Sequence, residues 1–114
     1  MSNLHTISES IKKNIFDFLG EIQTTKLIKY DVYHDFLDNL NSLCLYLKNK
    51  DEVSKSLISD IYFSIKIIRS EALYFPKEDE KKLGEMADEI QLYLELLLLN
   101  DDKESRKPGV PRII

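Results

Sequence analysis

The stretch SEALYFPKEDE, residues 70–80, holds the clearest helix boundary in this sequence. Pro76 ends a helix because the residue before a proline avoids the α region. The following PKEDE is typical of a helix start, since proline fits the first turn and acids there face the positive end of the helix dipole. The stretch therefore predicts two helices joined by a tight turn, one ending near Tyr74 and the next starting at once.

Apolar residues continue at helical spacing on both sides of this boundary. The row before it predicts a helix over 52–74 and consists of Ile58, Ile61, Ile65, Ile68, Ala72 and Phe75. The row after it predicts a helix to about Asn100 and consists of Leu83, Met86, Ala87, Ile90, Leu94 and Leu97. Phe63 and Ile67 lie off the first row, so this third helix of the chain is apolar nearly all round and is expected to be the most surrounded one.

Two more helices are predicted in the first half of the chain. Thr6 and Glu9 fit a capping box for a helix over 7–23, in which Phe16 and Leu19 widen the buried stripe. The pattern slips in QTTKLIKYD, residues 23–31, which predicts a turn, and a second helix then runs to about Lys48. Asp51 is the expected N-cap of the third helix.

Four helices joined by short turns predict an all-α fold, an antiparallel four-helix bundle formed by residues 1–100. The remaining residues, 101–114, contain Pro108, Gly109 and Pro111 and are predicted to be a non-helical tail. We expect its aliphatic residues, Val110, Ile113 and Ile114, to dock on the bundle. The alternative is a free tail that carries a short recognition peptide.

Composition excludes several classes of function. The chain has 114 residues and a net charge of −4, and an acidic surface repels phosphate, so nucleic acid is not an expected partner. The first residues lack the pattern of a secretory signal, and the longest apolar run, LELLLL, is too short to span a bilayer, which predicts a cytoplasmic protein without a membrane partner. The single cysteine, Cys44, excludes an internal disulfide and is expected in the core.

No catalytic, cofactor or metal motif is present in the sequence. His34 and Asp38 are four residues apart on the second helix and could form half of a catalytic pair. However, no nucleophile accompanies them, and a contact of this kind on a helix surface is far commoner than a catalytic one. The two histidines and one cysteine lack the spacing of a zinc site. We therefore predict a protein that is not an enzyme and holds no cofactor or metal.

Two sets of residues are candidates for binding a partner protein. Asp31, Asp35 and Asp38 form a row of like charge on the second helix, beside Tyr30, Tyr33 and His34. The fourth helix adds Glu85, Asp88 and Glu89. Such acids with aromatic anchors would suit a basic protein surface. The alternative interpretation of the aspartate row is a solvated helix face.

The stretch at residues 70–80 also resembles a short motif in the immunity proteins of nuclease colicins, in which two tyrosines precede a proline and acids surround them. In that family the aromatic pair contacts the nuclease domain of the toxin. The resemblance implies that Tyr74 is the first contact aromatic and that Phe75 replaces the second. It also implies a small helical protein that acts by binding, without a cofactor.

These observations predict a bacterial immunity or antitoxin-type inhibitor that binds and neutralises a cognate protein toxin, basic in charge, with a nuclease as one candidate. The alternative is a helical adaptor or secretion-chaperone-like protein that binds an apolar segment of its partner between helices. Exposed Leu and Phe side chains on the third and fourth helices would favour that alternative. The oligomeric state, monomer or homodimer, stays open, because YLELLLL at residues 93–99 can be packed within the chain or pair with a second subunit.

Overall fold

The computed structural model describes residues 4–48, 50 and 52–99, which contain four α-helices. These are α1 (Leu4–Thr24), α2 (Tyr30–Leu47), α3 (Lys55–Ala72) and α4 (Lys77–Leu98). The predicted all-α fold with antiparallel helix packing is confirmed. The tail over 101–114, its expected docking through Val110, Ile113 and Ile114, and the expected cap Asp51 lie outside the described residues.

The helix ends differ from the predicted ones in two places. Helix α3 starts at Lys55, later than predicted, because the Ser54 hydroxyl accepts a hydrogen bond from the backbone N–H of Leu57 at 3.3 Å and caps the helix there. Helix α1 starts at Leu4, so Thr6 lies inside the helix and the predicted capping box is wrong. The boundary at Pro76 is confirmed, with three acids in the first turn of α4.

The bundle consists of two helical hairpins packed side by side. Helices α1 and α2 form one hairpin and α3 and α4 the other, and across the hairpins α1 packs on α3 and α2 packs on α4. Both hairpin turns lie at one end, where Lys26 after α1 pairs with Glu71 in the last turn of α3 at 3.7 Å. Because α2 and α3 occupy opposite corners, Leu47 at the end of α2 and Lys55 at the start of α3 lie at opposite corners of the other end of the bundle.

All four helices contribute to a common core. Its largest fully buried side chains are Phe18, Phe36, Ile11, Ile22, Leu40, Leu43, Leu57, Ile61, Ile68, Leu83, Ile90 and Leu96. Most members of the predicted apolar rows are buried. The YLELLLL segment is largely packed within the chain, since Tyr93, Leu94, Leu96 and Leu97 are buried.

Two predictions about burial are wrong. Phe16, expected in the buried stripe of α1, is 78% exposed, and Phe63 on α3 is 53% exposed. Helix α3 is not more surrounded than the others, because it packs mainly on α1 and α4 and turns Tyr62 and Phe63 outward. Apolar residues on two sides of a helix thus do not mark a central position here. In the part of the chain that the structure describes, no helix has the length and apolar character needed to cross a bilayer.

Candidate protein-binding surface

Charge is divided unequally between the two sides of the bundle. The adjacent helices α2 and α4 together carry ten acidic residues and three lysines, whereas α1 and α3 together carry five acidic and five basic residues. Because α2 and α4 lie side by side, the exposed acids of α2 and some of those of α4 lie on one side of the bundle. We call this surface the acidic side and define it by its exposed or partly exposed acids Asp31, Asp35, Asp38, Glu85 and Glu89.

A buried tyrosine joins the two helices of the acidic side. The Tyr33 hydroxyl on α2 donates a hydrogen bond to Glu89 Oε1 on α4 at 2.5 Å, and its ring packs against Phe18 with 5.7 Å between centroids. Burial raises the pKa of Tyr33, and the hydrogen bond to the negative Glu89 raises it further. Tyr33 is only 3% exposed, so its hydroxyl holds Glu89 while its ring does not offer the contact surface that the sequence predicted for it.

Tyr93 on α4 is also affected by the acids of both helices. Burial raises the pKa of Tyr93, and the negative charges of Glu89 and Asp38 raise it further. His34 is exposed, and its ring lies beside that of Tyr33 with 5.7 Å between centroids and a tilt of 59° between the planes. Cys44 is buried in the core, as predicted, and its thiol donates toward the backbone oxygen of Tyr93 at 3.8 Å.

The structure separates Asp88 from the other predicted contact residues. Arg69 on α3 donates to Asp88 Oδ1 at 2.9 Å and to Gln91 Oε1 at 2.7 Å, so Asp88 belongs to the seam between α3 and α4. Its charge is balanced there by the guanidinium group. Asp88 therefore adds little to the negative field of the acidic side.

The aromatic candidates lie at the end of the bundle that holds the two hairpin turns. Tyr30 starts α2, is 42% exposed and has Lys82 Nζ at 6.0 Å from its ring centroid. Tyr74, in the turn between α3 and α4, is 73% exposed and has Lys26 Nζ at 5.4 Å from its centroid. Phe75 is partly buried against the core. Of the two aromatics in the motif, only Tyr74 thus presents most of its surface.

A groove between α1 and α3 was not predicted from the sequence. It has a volume of about 460 Å³ and is lined by Ile15, Leu19 and Ile67, with the exposed Phe16 and Phe63 at its rims. We call it the α1–α3 groove. The signal in the sequence was Phe16 itself, one position off the buried row, which an apolar pattern alone assigns to the core.

The described residues include both histidines and the single cysteine of the chain. Among them no cluster of three or more His, Cys, Asp or Glu side chains could hold a metal ion. His34 and Asp38 are both exposed on α2. The chain was compared with protein-family models, with curated proteins and with solved structures, and none of the three comparisons found a match.

Proposed function

We propose that the protein is an inhibitor of the immunity or antitoxin type, which binds a basic domain of a cognate protein toxin through the acidic side. The observation that supports this proposal is the concentration of acids on α2 and α4, while the rest of the bundle is balanced in charge. A field of one sign over one side of a protein steers an oppositely charged partner and raises the association rate. The acids would set the rate of binding and the choice of partner.

Residence time would depend more on the exposed tyrosines. Tyr30 borders the acidic side and Tyr74 lies on the same end of the bundle, at the turn between the hairpin helices. Aromatic side chains are the residues whose truncation most often costs binding energy at protein interfaces. A toxin surface that spans this end and the acidic side would contact both kinds of residue.

Co-expression with the products of neighbouring genes tests this proposal. Each neighbouring protein is expressed alone and together with this chain, and growth and complex formation are measured. We expect one neighbour that arrests growth alone and forms a stable complex with this chain when growth is restored. The proposal fails if no neighbour is toxic, or if the toxic one is not neutralised.

Charge reversal then tests the surface. Asp35→Lys with Asp38→Lys should slow association with the toxin at low salt by about tenfold or more, with the fold unchanged by circular dichroism. Glu9→Lys with Glu52→Lys is the matched control, because both residues are exposed, lie outside α2 and α4 and change the net charge equally. Tyr74→Ala should mainly raise the dissociation rate, by about thirtyfold. Equal association rates for the two double variants would remove the acidic side from the interface.

A second candidate function, an adaptor that binds an apolar segment, is favoured by a different surface. Leu98 on α4 is 61% exposed and Tyr62 on α3 is 48% exposed, and both line a groove of about 790 Å³ between these helices. An amphipathic helix could place its apolar face there. Leu98→Ser should weaken binding of such peptides if the groove is used, whereas the acidic-side double variant should not change it.

A further inference from the structure

Gly20 lies in the interior of α1, and no contact within the chain requires a glycine there. Glycine in a helix interior is about 1 kcal/mol less favourable than alanine, and a Cβ at Gly20 would meet no atom within 4 Å. Neither a close internal contact nor an unusual backbone angle requires glycine at this position. A surface without a side chain does, however, allow another chain to approach the helix closely.

A highly exposed phenylalanine lies one turn before this glycine. Phe16 and Gly20 both line the α1–α3 groove, and both also line a concavity of about 300 Å³ toward α2. Phe16 and Gly20 therefore lie on the outward face of α1, between these two concavities. The Phe16 ring protrudes from this face, and Gly20, one turn further on, leaves the backbone uncovered. Gly84 in α4 also has open space around it, but the residues one turn away are Glu80 and Asp88, so it has no such apolar neighbour.

We propose that α1 pairs with α1 of a second copy of this chain in an antiparallel, twofold-symmetric dimer, with Phe16 of each copy packed on Gly20 of the other. The twofold axis would pass between the two helices at the height of residue 18, midway between positions 16 and 20. Position 16 of each copy then faces position 20 of the other, so the Phe16 ring of one copy packs on the Gly20 backbone of its partner. Each ring would fill space next to the partner's Gly20 that water occupies in the separate chains.

The charges on α1 allow a second copy as the occupant. Lys12 and Lys13 lie one turn before Phe16, and Lys13 pairs with Asp17 of the same helix at 3.1 Å. In the antiparallel register Lys12 and Lys13 of one copy face the uncharged Thr24 and Gln23 of the other, so like charges do not oppose each other there. The acidic side, by contrast, would meet another acidic side with strong like-charge repulsion. Pairing through α1 leaves the acidic sides of both copies outward.

Sedimentation of the full chain over a range of concentrations tests this dimer. One helix pair offers less area than a standard interface, so we expect a dissociation constant of about 10 µM. The wild-type chain should then be mostly monomeric at about 1 µM and mostly dimeric at about 200 µM. A monomer at both concentrations would overturn the proposal.

Two variants and two matched controls locate the contact. Phe16→Ser and Gly20→Gln should each raise the dissociation constant by about a hundredfold or more, because each change occurs twice in the dimer. Phe63→Ser removes another exposed phenylalanine, and Gly84→Gln fills another helix glycine with open space. Both controls should dimerise like the wild type.

The glycine variant also separates loss of contact from loss of folding. Glutamine is a better helix former than glycine, so Gly20→Gln and Gly84→Gln should both melt at a temperature no lower than the wild type when measured as monomers. A Gly20→Gln chain that still dimerises would overturn the proposed register. Dissociation by Phe63→Ser that equals the effect of Phe16→Ser would place the interface on α3 and overturn it as well.

Discussion

The α2–α4 side and the α1–α3 side are built alike and differ in what they present outward. Each consists of two helices packed side by side that bury apolar rows in the same core. The α2–α4 side carries a large excess of acids and orients Glu89 through Tyr33, whereas the α1–α3 side is balanced in charge and has exposed phenylalanines at the rims of a groove. The difference shows that the shared core determines how the helices pack, whereas the outward residues can differ between the two sides without changing that packing.

Exposed apolar residues on the α1–α3 side should contribute little to folding. Leu19, which is buried at the groove, makes core contacts, so Leu19→Ala should lower the free energy of unfolding by about 2–4 kcal/mol. Phe16→Ala should change it by about 0.5 kcal/mol or less. Urea denaturation at low protein concentration measures both. A similar loss for the two variants would mean that Phe16 belongs to the core and would end the comparison.

On the α2–α4 side, a polar contact should matter for stability. Tyr33→Phe removes the donor that Glu89 contacts at 2.5 Å and leaves a partly buried carboxylate without that hydrogen bond. Hydrogen bonds to charged groups contribute about 1.5–3 kcal/mol, so we expect a loss of about 2 kcal/mol in urea denaturation. Tyr62→Phe, at a half-exposed ring, is the control and should change stability only slightly.

The buried tyrosines Tyr33 and Tyr93 should make the fold sensitive to alkaline pH. The folded-state pKa values of Tyr33 and Tyr93 are raised above the usual value, so both phenols hold their protons more tightly in the folded chain. The contribution of these raised pKa values to the free energy of unfolding is complete below about pH 10, the ordinary tyrosine pKa. It is lost as the pH rises toward the folded-state pKa values, and the loss is about 1 kcal/mol per tyrosine by pH 11. Tyr33→Phe should flatten the decline in stability between about pH 9.5 and 11. An unchanged slope would contradict the proposed environment of Tyr33.

The smallest expected effect has opposite signs on the two sides. Asp35→Asn removes repulsion with Asp31 and Asp38 and should raise stability by about 0.5 kcal/mol. Asp17→Asn on α1 removes the pair with Lys13 Nζ at 3.1 Å and should lower stability by about 0.3–0.5 kcal/mol. Both effects should shrink in about 1 M salt, where charges are screened beyond about 3 Å. If both variants lowered the free energy of unfolding at low salt, neighbouring positive charges would already neutralise the acids of α2.

Local patterns predicted the helices and most of the core. Pro76 and the acids after it placed the turn between α3 and α4, and the rows at i, i+3 and i+4 placed the buried faces of these two helices. The errors concern residues that an apolar pattern cannot sort. Phe16 and Phe63 satisfy the same periodicity as core residues, and their exposure depends on where the neighbouring helices lie. Tyr33 was proposed as a partner contact because it lies beside the aspartate row of α2, whereas its burial depends on α4.

The sequence by itself determined that the chain forms four helices, where most of them begin and end, and that acids concentrate in α2 and α4. These properties follow from contacts within a few residues, such as caps, prolines and helical spacing. The tertiary structure alone decided which helices are neighbours, because the helical patterns do not fix whether α2 packs on α3 or on α4. This helix arrangement places Glu89 in contact with Tyr33, Asp88 in contact with Arg69, and Phe16 on the exposed face of α1. Periodicity fixes which face of a helix is apolar, but only packing fixes which helix meets it.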